Sequence, residues 1–186
     1  DGEQITVDAD VANFSVETQT EAGEHITPHV VEPSFGIDRT VYTLLAHAYE
    51  TDEVDGEARS YLSLSPAVAP TNVGVFPLVS NVDELVDLAD DVAAELRAAG
   101  FAVVYDDSGS IGRRYRRQDE VGTPFCITID RDGLEGDGAD TVTIRERDSG
   151  KQVRLSVDDL VGTLVGLRAG TASFDDVLDD NEVVEA

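Results

Sequence analysis

The stretch Gly100–Asp130, GFAVVYDDSGSIGRRYRRQDEVGTPFCITID, constrains this chain more than any other. Its apolar run Phe101–Tyr105 has the length of a buried strand, and Asp106–Gly112 has the residues of a turn and a phosphate-sized loop. Arg113–Gly122 reads as a helix and Phe125–Ile129 as a second strand. Strand, helix and strand in that order predict a parallel crossover, which commits the surrounding chain to an α/β sheet. The helix is strongly basic: Arg113, Arg114, Arg116 and Arg117 concentrate positive charge in a chain with 13 Lys and Arg, 39 acids and a formal net charge of -26. Two readings follow. The arginines meet an anionic partner, or they pair with Asp106, Asp107, Asp119 and Glu120, some of them at helical spacing.

At 186 residues the chain has room for one full domain and part of another. It contains no apolar run long enough to span a membrane and no signal-peptide pattern, and with no Met and a start at Asp1 it reads as a piece of a longer or processed protein. The single Cys126 sits between Phe125 and Ile127 in a strand, where it reads as a small buried hydrophobe. Lys151 is the one lysine, and acids are spread over nearly every polar face. Such a surface suits a high-salt cytoplasm, where ions at about 1 M shorten screening to roughly 3 Å. A disordered acidic chain is excluded by 41% apolar residues with clear periods.

Toward the N-terminus, Ile5–Val16 alternates weakly and Ile26–Glu32 forms a second extended run, which predicts an antiparallel strand pair. Glu24, His25 and His29 carry Pro28 among them and lack helical metal-site spacing, so no metal site is expected. The segment VEPSFGIDRTVYTLLAHAYE then changes period: Ile37, Val41, Leu44, Leu45 and Ala48 share one face of a helix from Gly36 to about Glu50. Arg39 lies in its first turn, where the helix dipole disfavours a cation; a ligand anion or a neighbouring Asp38 or Glu32 could answer it.

VEPSFGIDR followed by an apolar helix resembles the third signature motif of class II aminoacyl-tRNA synthetases, in the form used by archaeal and eukaryotic glycyl-tRNA synthetases. The resemblance implies that Arg39 clamps the terminal phosphate of ATP, that Glu32 takes the ammonium of glycine and that Ser34 helps fix the amino acid. A guanidinium fork for phosphate and a carboxylate for ammonium are the groups this chemistry needs. It also implies Mg2+ in the intact enzyme, a homodimer and a cytoplasmic location. The other two class II motifs are not in these residues, so this chain by itself is expected to be inactive.

Thr51–Ala69 reads as the end of that catalytic part and a linker, with Tyr61–Leu64 as a last strand of its sheet. From Val73 the pattern is a compact α/β domain: strand Val73–Val79, helix Asp83–Ala99, the opening stretch, strands Thr141–Arg147 and Gln152–Leu155, and helix Val157–Leu167 with Ser156 as its N-cap. The expected architecture is a mixed five-stranded sheet with three helices on its two faces, ordered βαβαββα. Val73–Leu167, most densely YDDSGSIGRRYRRQDEVGTPFCITID, resembles the anticodon-binding domain shared by the synthetases for glycine, histidine, proline and threonine. The resemblance implies tRNA(Gly) as partner, gripped at the anticodon stem and loop and checked largely at the second and third anticodon bases.

Arg113, Arg114, Arg116 and Arg117 occupy successive angles about a helix, so one or two are expected on phosphates and the others on acids such as Asp107 and Asp119. Tyr115 stacks on a splayed base or packs on the sheet. Ser110 is the expected N-cap of this helix. The Gly- and Asp-rich loop Asp130–Asp140 does not follow a calcium-loop spacing. The acidic tail after Gly170 forms a loose helix on Phe174, Val177 and Leu178 or stays solvated. The domain reading is a class II catalytic remnant over 1–65, a linker over 66–72, the anticodon-binding domain over 73–170 and the acidic tail over 171–186. The functional reading is part of a glycine-tRNA ligase. The alternatives are a stand-alone RNA-binding module without ligase activity, for which VEPSFGIDR has no use, and a purely structural subunit.

Overall fold

The computed structural model describes residues 2–12, 15–20, 22–54, 56–134 and 139–184. The chain divides into a unit of residues 1–35 and a unit of residues 36–186. In the first unit the described residues form neither helix nor strand; one turn closes where the amides of Val11 and Ala12 donate to the carbonyl of Asp8. The strand pair expected over Ile5–Val16 and Ile26–Glu32 is therefore not formed among the described residues. Its apolar positions, including Ile5, Val16, Ile26 and Val31, remain exposed, so the alternation has no packed face to hold a pairing register.

The second unit begins with helix α1 (Ile37–Ala48), close to its expected span. Ala48 alone of its residues is buried, and Val41, Tyr42, Leu44 and Leu45 stay exposed. The chain then makes a hairpin, β1 (Tyr49–Val54) with β2 (Glu57–Leu62), in a register that faces Asp52 with Arg59. Tyr61 and Leu62, expected to belong to a last strand of a larger catalytic sheet, are instead the end of this two-stranded hairpin. β2 pairs with the strand immediately before it in sequence, and the alternation of charged and small residues conceals a strand from a hydrophobic-period reading.

The remaining elements are β3 (Val73–Pro77), α2 (Asp83–Ala98), β4 (Val103–Tyr105), α3 (Ile111–Val121), β5 (Phe125–Ile129), β6 (Thr141–Glu146), β7 (Gln152–Ser156), α4 (Val157–Ala169), α5 (Phe174–Asp180) and β8 (Glu182–Val184). They build one mixed sheet in the order β4-β3-β5-β6-β7-β8. β3 is parallel to both β4 and β5, so the β4–α3–β5 crossover passes over β3, and the strands from β5 to β8 are antiparallel. The expected mixed sheet is present, with β8 added at its edge. Alternation places Val73, Val75, Phe125, Ile127, Ile129, Val142, Ile144, Val153 and Leu155 in one apolar core with α2, α4 and α5. The tail after Gly170 takes the helical form of its two readings: Phe174 stacks on Phe125 at 6.3 Å and Val177 is buried. Ser173 and Asp176 cap α5 reciprocally.

The opposite sheet face carries α3, which is attached by polar groups. Its buried residues are Arg114, Gln118 and Asp119. Gly74 permits this approach, since a Cβ there would stand 3.3 Å from Gln118 Cγ and closer still to the Phe76 ring. Gly122 ends the helix at φ 84°, a left-handed cap, and a Cβ there would meet Leu64 at 2.8 Å and the Leu62 carbonyl at 3.0 Å. Ser156 caps α4 as expected, accepting from the Asp158 amide, whereas Ser110 occupies the N-cap position of α3 without a side-chain bond. In the Gly- and Asp-rich loop, residues 135–138 lie outside the described residues.

Candidate nucleic-acid interface

Between α3, the polar face of β5 and β6, the β6–β7 turn and the tip of the hairpin lies a cleft of about 840 Å³. Its α3 wall runs from Ser110 to Arg116, its floor holds Thr128, Thr143 and Arg145, and Asp52 and Arg59 stand on the hairpin side. Helical spacing divides the four arginines of α3 into two i,i+3 pairs. Arg113 and Arg116 line the cleft, and neither forms an ion pair among the described residues. Arg116 Nη1 is buried and has no hydrogen-bond acceptor in the described structure.

Arg114 and Arg117 are turned to the loop that precedes the helix. Arg114, 2% exposed, donates to the carbonyl oxygens of Pro77, Asp107 (2.7 Å) and Gly109 (2.9 Å). Arg117 donates from Nε to Asp106 at 3.0 Å and from Nη2 to the Ser108 carbonyl at 2.8 Å. The arginines not on phosphates were expected on acids such as Asp107 and Asp119; the acceptors found differ. Asp107 serves through its backbone, Asp106 takes Arg117, and Asp119 is taken by arginines from other elements. Both carboxylate oxygens of Asp119 are occupied by Arg59 and Arg145.

Asp119, 0% exposed, accepts from Arg59 Nη1 at 3.1 Å and from Arg145 Nη1 and Nη2 at 2.9 and 3.2 Å. Arg59 also holds Asp52, donating from Nε at 2.8 Å and from Nη2. The Arg59 hydrogen bond, ahead of the more distant Arg116 and Arg145 charges, keeps the Asp52 carboxyl below the ordinary carboxylate range despite some burial. Arg147 ties the same region together, donating to the carbonyls of Gly122 (2.8 Å) and Leu64 (3.0 Å) and to Asp148 (2.7 Å). Tyr115 packs on the sheet: its hydroxyl bonds Thr128 at 2.7 Å, its ring meets Phe76 edge-on at 5.9 Å, and the Arg145 guanidinium lies 4.8 Å from its ring centre. Burial raises its phenol above the usual range.

Arg59, Asp52, Arg145 and Arg147 were absent from the sequence-derived site. The period-2 alternation of Thr141–Glu146 does place Arg145 on the face opposite Val142 and Ile144, but nothing local says that α3 covers that face. The residues assigned by resemblance to ATP and glycine are exposed. Glu32 and Ser34 belong to the first unit, and Arg39 lies in the first turn of α1 with no ion pair among the described residues. Glu24, His25 and His29 are exposed as well, and among the described residues no group of three His, Cys, Asp or Glu is arranged to hold a metal. No helix among the described residues is long and apolar enough to cross a membrane.

Residues 72–167 match the family model described as "Anticodon binding domain". A glycine-tRNA ligase of Methanothrix thermoacetophila is 43% identical over 174 residues, covering 94% of this chain and 30% of the relative. One from Methanothermobacter thermautotrophicus is 48% identical, covering 90% of this chain and 28% of the relative. One from Thermus thermophilus is 48% identical over 77% of this chain and 30% of the relative. The chain thus spans about 30% of the length of the curated relatives it matches.

Proposed function

The chain belongs to the anticodon binding domain family, and from that premise we propose that it is the anticodon-reading part of a glycine-tRNA ligase. The observation that carries this reading is the cleft on the polar sheet face inside the matched residues, where Arg113 and Arg116 form no ion pair among the described residues. Guanidinium groups without counter-ions, beside an uncapped helix start, are suited to phosphates of a single-stranded loop. Arg114, Arg117 and Tyr115 support this surface from within by fixing the loop before α3 and the floor of the cleft.

In the same proposal, residues 1–65 belong with the catalytic part, 66–72 join it to the anticodon-reading part at 73–170, and 171–186 follow as an acidic tail. Glycine activation by ATP is then the work of the whole ligase, with Glu32 and Ser34 on glycine and Arg39 on the terminal phosphate. The exposed guanidinium of Arg39, which forms no ion pair among the described residues, supports that role. Mg2+ belongs with the nucleotide in the intact enzyme. The working form is a cytoplasmic homodimer, and the dense acids, with one lysine, fit a halophilic archaeon.

The test is binding of this chain to tRNA(Gly) at high salt, beside a tRNA with its second and third anticodon bases changed. Preference for the unchanged tRNA is expected. Equal affinity for both would leave a general RNA-binding module, and binding to neither would refute the RNA reading. In the full-length ligase, Arg39→Ala is expected to lower glycine-dependent exchange of pyrophosphate into ATP by about 100-fold. Unchanged exchange would remove Arg39 from the ATP site.

A further inference from the structure

The wall of the cleft that faces α3 is the β1–β2 hairpin, which lies outside the matched residues 72–167. Arg59 anchors it. The side chain is 3% exposed and uses all three of its nitrogens: Nε and Nη2 donate to Asp52, while Nη1 donates to Asp119 and to the Arg147 carbonyl at 2.8 Å. The planar guanidinium stays charged and lies 4.3 Å from the centre of the Tyr61 ring, so it forms a rigid brace from β1 to α3 and to the end of β6. Asp119 is three residues beyond Arg116, on the same helix. The hold of Arg59 and Arg145 on Asp119 therefore sets the rotation at which α3 presents Arg113 and Arg116.

The cleft is polarised as a result. Arg113 and Arg116 are cations on the α3 side, and Asp52 is a carboxylate on the hairpin side whose side chain keeps 36% of its surface exposed. Each Asp52 oxygen takes an Arg59 donor and retains a second acceptor site. A carboxylate repels a phosphate and accepts from the exocyclic amino group of a base, as on cytosine, whereas the carbonyl that uracil carries at that position offers it no donor.

Resting on the RNA reading above, we infer that the hairpin is part of the RNA site: Arg59 is its positioning residue, and Asp52 selects an unstacked base bearing an amino group. The nucleotide enters with its phosphate toward Arg113 and Arg116 and its base edge toward Asp52. Residues that read the loop thus come from two stretches of sequence, the hairpin and the matched domain.

The test uses the full-length ligase and three readouts: aminoacylation of tRNA(Gly), aminoacylation of a tRNA whose anticodon cytosines are replaced by uracil, and pyrophosphate exchange without tRNA. Arg59→Lys keeps the charge but loses the fork. It is expected to raise the KM for tRNA about tenfold while exchange and kcat stay within about twofold. Asp52→Asn can donate as well as accept, and is expected to shrink the preference for cytosine over uracil by about tenfold in kcat/KM. An unchanged tRNA KM in Arg59→Lys, or an unchanged base preference in Asp52→Asn, overturns the inference. Loss of exchange in parallel with tRNA charging in both variants makes the two residues merely structural and overturns it as well. If the unsubstituted ligase itself does not distinguish the two tRNAs, the anticodon reading fails first and this inference with it.

Discussion

Two adjacent arginines of α3 differ in what surrounds them and should differ in what their loss does. Arg114 is buried and supplies three carbonyl oxygens with donors, while Arg113 is exposed on the cleft. Arg114→Ala leaves those carbonyls unmet and is expected to lower unfolding stability by about 3 kcal/mol, whereas Arg113→Ala should stay within about 0.5 kcal/mol. Urea unfolding of the two variants checks this; equal effects would contradict the division of the arginines. Cys126 offers a second test at this scale. Burial pushes its thiol up to about 12, so almost no thiolate exists at pH 8. A disulfide reagent should fail to label the native chain and label it fully in denaturant; rapid native labelling would mean that β5 is not where the sheet order puts it.

Elements that read clearly from sequence are those whose apolar residues follow one period. β5 spans its expected residues, and α2 and α4 differ from theirs by one or two. The hairpin was illegible because its fixing residue, Arg59, works through Asp119, sixty positions away. The basic run of α3 was conspicuous, yet sequence could not say which arginines are internal, since that depends on the loop carbonyls and on Gly74 admitting the helix to the sheet. The sheet-closing role of the tail was half legible: Phe174 and Val177 gave the helix, but its partner Phe125 is distant in sequence. Phe174→Ala is expected to cost about 3 kcal/mol by emptying this contact. A change within 0.5 kcal/mol of zero, as at a solvated surface, would return α5 to the status of a loose end. Arg154 braces a different end of the sheet, holding Asp130 at 2.7 and 3.1 Å. Burial raises the Asp130 carboxyl, but the Arg154 pair, the Gly133 amide and Thr143 outweigh it, and the net shift is downward. A folded-state value below the unfolded value of about 3.9 stabilises the chain above that pH, and this contribution is lost as pH falls through the folded value. Arg154→Ala should therefore flatten the loss of stability below about pH 4; an unchanged acid limb in a urea-midpoint series would remove Asp130 from the acid response.

At the scale of the whole molecule, charge works in two separate compartments. Asp119, Arg59 and Arg145 are buried, while most of the 39 acids face solvent and repel one another under a net charge of -26. Salt screens the second set far more than the first, since screening acts on charges that ions can approach. The melting temperature should therefore rise between about 0.1 and 3 M KCl, where the screening length falls from about 10 Å to about 3 Å or less; a flat or falling curve would contradict the high-salt proposal. RNA binding should respond differently. An interface resting on Arg113 and Arg116 releases few counterions, and each phosphate contact on a single strand contributes a slope of about -0.7 in log K against log salt. Two contacts give about -1.4, and screening of the repulsion between an acidic protein and RNA works in the opposite direction. The measured slope is expected to be shallower than about -1.5. A slope of -4 or steeper, on the order of six phosphate contacts, would place the RNA on a larger basic surface than this cleft provides.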